Sequence, residues 1–257
     1  MTDYSEVTEL AGSSISAEQL VRLSHRYHWA AQHCAGKDVV EVACGSGAGL
    51  GLLGRVSRSL EGGDYSPPIL ERARAHYGER VRLTQVDAQS LPYGNASKDV
   101  IILFEAIYYV PDAARFVAEC RRVLRPGGQV LVATANRDLW DFNPSPLSHR
   151  YYGVAELAAL FHGAGFAAQV YGYMPAGRVS WRQRALRPLK RFAVGLGIMP
   201  RTLKGKRFLK RLVFGRLVLM PAELEPSRDR TEPPVPLPVD RADGIHKVLY
   251  CRATLPA

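Results

Sequence analysis

The sequence predicts a doubly wound α/β domain, and three observations carry that expectation. Apolar runs of strand length alternate with amphipathic stretches of helix length from Asp38 to Tyr173. Such alternation implies right-handed crossovers and a parallel sheet covered by helices on both faces. The first run, VVEVACGSGAG (Val39–Gly49), breaks into a glycine-rich turn that leads into helix-compatible sequence. The next three runs end in acids, Asp64, Asp87 and Glu105. In open α/β sheets ligands sit beyond the carboxyl ends of the strands, so these positions are the ones to inspect.

In chain order, Ser16 is a plausible N-cap for AEQLVRLSHRYHWAAQHC, with Leu20, Leu23, Tyr27, Ala30 and Ala31 at helical spacing and Gly36 as a stop. The first strand runs from Asp38 to Cys44, and the turn opens into a helix over Leu50–Val56. A short strand, Leu60–Asp64, precedes a helix capped by Ser66 that starts with Pro67 and Pro68 and ends at Gly78. Arg80–Val86 alternates apolar and polar, and Val100–Phe104 is a continuous apolar run suited to a central strand. A helix over Ala113–Leu124, the turn Arg125–Gly128 and a strand over Gln129–Thr134 follow. Beyond them come a helix over Ala155–Phe161 and a strand over Phe166–Tyr173. After some 70 residues the β-rich IHKVLYCRAT returns as a final strand, expected antiparallel to its neighbours.

The resulting division is an N-terminal helical segment (1–36), a main domain (37–175), a basic helical insertion with a proline-rich return (176–243), and a strand that completes the sheet (244–257). A chain of 257 residues that is 47% hydrophobic can bury one substantial core. Cys34, Cys44, Cys120 and Cys251 are widely spaced, without a CxxC pair or zinc-ligand spacing, so reduced core thiols and no metal are expected. The stretch MTDYSEVTELAG lacks a basic start and an apolar run, and no segment reaches membrane-spanning length. A cytoplasmic protein is expected, peripheral at the inner face of a membrane if its basic segment docks there.

Gly45, Gly47 and Gly49 allow the backbone to turn tightly and approach a ligand. A dinucleotide fingerprint would need a sixth-position glycine, and that position is Leu50. Asp64 lies 19 residues after Gly45, where a carboxylate can accept both hydroxyls of a ribose. Asp87, in VDAQSLPY, is positioned to accept from an exocyclic amine, with the Ala88 N–H available to an adenine ring nitrogen. Glu105 supplies negative potential suited to a cationic ligand.

Five segments in order resemble the class I S-adenosylmethionine-dependent methyltransferases: VVEVACGSGAG, GGDYSPPILERA, VDAQSLPY, FEAIYYV and RRVLRPGGQVLVAT. The likeness covers roughly residues 37–170 and is nearest the small-molecule branch that contains ubiquinone and menaquinone methyltransferases (methyltransferase type 11 domain). It implies a Rossmann-like, mostly parallel seven-stranded sheet with an antiparallel final strand. It also implies that Glu41, Ala43, Gly45, Gly47, Asp64, Tyr65, Asp87, Ala88 and Glu105 bind S-adenosylmethionine, with Arg26 or Tyr27 closing over its methionine end. Tyr108-Tyr109 stand where the quinone enzymes typically show histidine.

Methyl transfer is an in-line displacement at a carbon activated by the sulfonium, so alignment and exclusion of water supply much of the rate. A hydroxyl acceptor must lose its proton, and the candidate catalytic residues are Glu105, Tyr108, Tyr109 and His149, the last in the loop DFNPSPLSHRYY. The N/D-P-P-Y/F turn of exocyclic base N-methylation and the Pro-Cys of cytosine carbon-5 chemistry are both absent. A small-molecule, glycan or lipid-linked acceptor methylated at oxygen is therefore expected. The rival is a noncatalytic cofactor-binding module that works on RNA or a membrane surface.

Between Glu156 and Glu223 there are 13 Lys or Arg and no acid, which leaves −3 for the rest of the chain (+10 less 13). Two stretches, SWRQRALRPLKRFAVGL and GKRFLKRLVFG, read as basic amphipathic helices, the first kinked at Pro188. Three readings stay open for 178–217: a lid packed on the cofactor domain, a surface for an anionic membrane or lipid-linked substrate, and a surface for RNA.

Overall fold

The computed structural model describes residues 10–140, 142–176, 217–226 and 232–257. Along the chain lie β1 (Ser14–Ser16), α1 (Ala17–Cys34), β2 (Asp38–Val42), α2 (Leu50–Gly54), β3 (Ser59–Asp64), α3 (Pro67–Tyr77), β4 (Arg82–Gln85) and β5 (Lys98–Phe104). They are followed by α4 (Ala113–Val123), β6 (Leu124–Ala135), α5 (Val154–His162), β7 (Ala167–Pro175), β8 (Leu217–Leu219), β9 (Val235–Leu237) and β10 (His246–Thr254). The main sheet has the order β4-β3-β2-β5-β6-β10-β7-β9. Strands β4 through β6 pair in parallel, and β10 is antiparallel to both β6 and β7. The seven expected strands are all present, and the proline-rich return adds β9 as a three-residue antiparallel edge on β7. Proline suits that place, because an outer strand need not donate on its free side.

The sheet is buried on both faces. Along β5, Ile101 and Leu103 pack with α4 and α5, while Val100 and Ile102 point to the side of α1 and α2. This explains why the run reads as continuously apolar. All four cysteines are free and buried in the core.

Local signals act as the sequence implied, with instructive exceptions. Ser16 caps α1 in a reciprocal box with Gln19 (3.1 and 2.8 Å). The Ser66 hydroxyl, by contrast, caps nothing. Pro67 and Pro68 have already removed the first two N–H donors of α3, and the Ser66 N–H itself donates to Asp64 Oδ1 (2.9 Å). Strand β2 ends at Val42, not at Cys44, because Ala43 turns into the left-handed region (φ 59°). The two stretches read as basic helices lie outside the described residues. Where description resumes, the chain forms β8, which pairs antiparallel with β1 in a separate two-stranded sheet.

The right-handed crossovers put the ends of β2, β3 and β5, the loop after β6, and the start of α1 at one edge of the molecule. At the opposite edge Arg58 and Arg125 bind both Asp38 and Asp99, at distances from 2.5 to 3.2 Å.

Candidate active site

At the carboxyl edge of the sheet lies a cavity of about 610 Å³, within the roughly 300–1,000 Å³ of small-ligand sites. Of the residues expected at the site, Arg26, Tyr27, Ala43, Gly45, Asp64, Tyr65, Asp87, Ala88, Glu105, Tyr108, Tyr109 and His149 line it. Glu41 and Gly47 do not; they stand behind the wall.

The glycine turn is fixed from several sides. Gly45 N–H donates to Asp64 Oδ2 (2.9 Å), which ties the end of β2 to the end of β3. Gly47 has φ 85°, and a Cβ there would lie 2.7 Å from the Tyr77 ring, whose hydroxyl donates to Gly47 O (2.7 Å). A Cβ at Gly49 would lie 1.9 Å from the Tyr27 ring. Tyr27 therefore supports the turn from beneath, and its hydroxyl donates to Glu41 Oε1. Glu41 is fully buried in β2, and its Oε2 has no partner among the described residues. Burial raises the Glu41 carboxyl to about 8; the Tyr27 hydrogen bond and Arg26 pull it down, and Asp64 pushes it up. Glu41 thus reaches the turn through Tyr27.

Asp64 is 8% exposed. Burial lifts its pKa, while the backbone N–H groups of Ser66, Gly45 and Tyr65 pull it back. Its Oδ2 accepts from Gly45 N–H and its Oδ1 from Ser66 N–H (2.9 Å each), and a carboxylate's four acceptor sites leave room for ligand hydroxyls. Asp87 Oδ1 accepts from the Gln89 backbone N–H (2.8 Å) and side-chain amide (3.3 Å), which leaves Oδ2, without a hydrogen bond among the described residues, for an incoming amine. This donor set fits S-adenosylmethionine: acids for ribose and amine, a glycine turn without side chains, and Glu105 for a cation.

Glu105 is held at φ 51°, a conformation that costs a non-glycine residue about 1–3 kcal/mol. Its carboxylate lies 3.6 Å from Arg26 and accepts from the Tyr108 hydroxyl (3.2 Å). Burial, reinforced by the Glu105 charge, raises the Tyr108 pKa well above its ordinary value, so that hydroxyl keeps its proton and donates to Glu105. Tyr108 stacks on Tyr151 (4.1 Å between centroids), and Tyr109 Oη pairs with Ser145 Oγ (2.6 Å). His149 N–H donates to Tyr108 O (2.7 Å), which brings the loop after β6 against the tyrosines.

Sequence reasoning missed Gln19, Arg22 and Met220 in the wall. Arg22 is four residues before Arg26 and so shares its helix face, a usable signal. Met220 had none, since its place depends on β8. Beyond β8 the chain folds onto the turn: Leu224 N–H donates to Ala48 O (2.7 Å), and Glu223 meets Arg80 (3.2 Å) and His76 (3.1 Å).

Residues 40–132 match the family model described as a methyltransferase domain. A probable S-adenosylmethionine-dependent methyltransferase of Mycolicibacterium smegmatis is 40% identical over 152 residues, covering 58% of this chain and 56% of that protein. Phthiotriol/phenolphthiotriol dimycocerosates methyltransferase 1 of Mycobacterium ulcerans is 39% identical over 113 residues, 41% of each chain. The ubiquinone biosynthesis O-methyltransferase of Thiobacillus denitrificans is 35% identical over 108 residues, 40% of this chain and 47% of that one. The chain thus spans about half the length of the relatives it matches. Among solved structures, the YcgJ protein of Bacillus subtilis shares the fold with a TM-score of 0.57 at 18% identity, over 91% of this chain and 99% of that one. The glycine turn, the strand-end acids and these likenesses agree: residues 40–132 match a methyltransferase domain, they lie on a Rossmann-like sheet, and the chain is similar to S-adenosylmethionine-dependent methyltransferases.

Proposed function

We propose that this protein transfers the methyl group of S-adenosylmethionine to an oxygen of a small-molecule or lipid-linked acceptor. The observation that carries the reading is one cavity whose wall runs from Gly45 and Asp64 through Glu105 to Tyr108, Tyr109, Ser145 and His149. The bound cofactor supplies a methyl group on a sulfonium. Asp64 binds the ribose, Asp87 and Ala88 the adenine edge, and Arg26 with Glu105 the methionine end. Tyr109, Ser145 and His149 bind the acceptor, and Glu105 or His149 takes the hydroxyl proton as the oxygen attacks. The lipid-linked option draws support from the Mycobacterium ulcerans relative and the oxygen from the Thiobacillus denitrificans relative. Residues 37–175 with 244–257 make up the catalytic unit, to which α1 adds a wall.

Two measurements test this. Asp64→Ala is expected to weaken binding of S-adenosylhomocysteine by at least about tenfold in calorimetry, since it removes the ribose acceptor and the Gly45 anchor. Unchanged affinity refutes the ribose role. Incubation of a lipid and small-molecule extract with carbon-13 methyl-labelled cofactor is expected to yield a methoxy signal. Cofactor binding with no labelled product would instead establish a noncatalytic module.

A further inference from the structure

Large apolar side chains gathered on one part of a surface mark a place that something covers. Six exposed ones, Val21, Tyr65, Trp140, Leu147, Leu219 and Ile245, range from 40% exposed at Tyr65 to 69% at Leu219. The topology collects them at one edge. Tyr65 follows the carboxyl end of β3 and lines the cavity. Leu147 lies between the cavity residues Ser145 and His149, in the loop after β6 that also holds Trp140. Val21 adjoins Arg22 in the first turns of α1, and Leu219 adjoins Met220, both of them cavity residues. Ile245 precedes β10, which runs opposite to the parallel strands, so its start lies at their carboxyl edge. Two further exposed apolar residues lie elsewhere: Val56 is bonded to Gly36 at the opposite edge, and Val235 is on the outer strand β9.

Charge decides what covers this edge. The chain leaves it after Ala176, whose N–H donates to Ile245 O (2.7 Å), and returns at Leu217, two residues before Leu219. Residues 177–216 between those points contain 13 Lys or Arg and no Asp or Glu. Arg22, beside Val21, makes no ion pair among the described residues. The amino edge offers no such combination, since its arginines are matched by Asp38 and Asp99. Exposed apolar side chains beside Arg22, at the edge where a segment of that sequence charge departs and returns, fit an anionic phospholipid surface, with the apolar groups entering the acyl boundary.

We infer that the carboxyl edge is a membrane-docking face, and that the cavity opens toward the bilayer from which a lipid-linked acceptor enters. The second half rests on the proposed lipid-linked acceptor; the docking itself does not.

The test is flotation of the full chain with vesicles of phosphatidylcholine alone or mixed with phosphatidylglycerol. Binding is expected for the mixed vesicles only and is expected to fall as salt is raised. The combined variant Val21→Glu, Leu219→Glu and Ile245→Glu is expected to bind about tenfold or more weakly, with S-adenosylhomocysteine affinity and Tm unchanged. If that variant loses Tm, Leu219→Ser with Ile245→Ser replaces it, with a loss of about fivefold expected. Equal vesicle binding by a folded variant, no preference for phosphatidylglycerol, or binding of single-stranded RNA in place of vesicles overturns the inference. Flotation needs neither methyl donor nor acceptor. Vesicle binding without methylation of any lipid therefore defeats only the lipid-linked acceptor, whereas lipid methylation without vesicle binding defeats only the docking face.

Discussion

Replacing Glu41 with glutamine should change how stability depends on pH while leaving the shape of the buried site nearly intact. The carboxyl is fully buried, one oxygen takes the Tyr27 hydroxyl, and the other has no partner among the described residues. Burial lifts its pKa to about 8, against 4.5 for an ordinary glutamate. Between those values the folded chain keeps a proton that the unfolded chain has released. The stabilisation from this group is therefore complete below pH 4.5, declines as pH rises, and is gone above about 8. One proton corresponds to about 1.4 kcal/mol per pH unit, so the decline totals about 5 kcal/mol. Glutamine stays neutral throughout and can still accept from Tyr27. Urea unfolding of both proteins from pH 5 to 9 gives the difference in stability, in which the other titrating groups largely cancel. That difference should shift toward the glutamine variant as pH rises to 8 and level off beyond it. A flat difference from pH 5 to 8 would show that Glu41 is ionised in the fold and refute the argument.

Two further outcomes follow from the turn. Gly49→Ala would force a methyl group to 1.9 Å from the Tyr27 ring, and that ring is held by Glu41 and by an edge contact with Phe104 (5.4 Å). A loss of about 3 kcal/mol and of cofactor binding is expected, read by thermal unfolding with and without S-adenosylhomocysteine; wild-type behaviour would show that the turn is not seated on Tyr27. Ala43→Gly relieves a residue held at φ 59° and should raise stability by about 1 kcal/mol after the cost of a freer unfolded chain, seen as a higher Tm. A lower Tm would mean that the methyl group earns its place by packing.

What could be read from the chain beforehand was whatever local patterning decides. The alternation of apolar runs gave the parallel sheet, and the acids Asp64, Asp87 and Glu105 at run ends gave the cavity wall, because a strand's last residue must face the ligand edge whatever else surrounds it. Tertiary reach was illegible. Tyr27 read as an apolar position on a helix face and, by resemblance, as a residue closing over the methionine end of the cofactor, and nothing local showed that its hydroxyl would meet Glu41 across 14 residues. The β1–β8 pair joins segments some 200 residues apart, so Met220 could not be placed in the wall. The proline-rich return carried no strand expectation, and the open side of β7 is what makes it one.

The position of β10 has a consequence for how the molecule comes into being. This strand lies between β6 and β7, pairing with both along nearly its whole length, yet it follows them in the chain after residues 176–245. During synthesis β6 and β7 are thus both finished while the strand that must separate them is still unmade. Each then presents a bare row of amide and carbonyl groups, open to a mistaken partner or to each other in parallel. Closing the sheet is a late, long-range event, and a ribosome or chaperone that delays the pairing of those two edges protects the yield of folded protein.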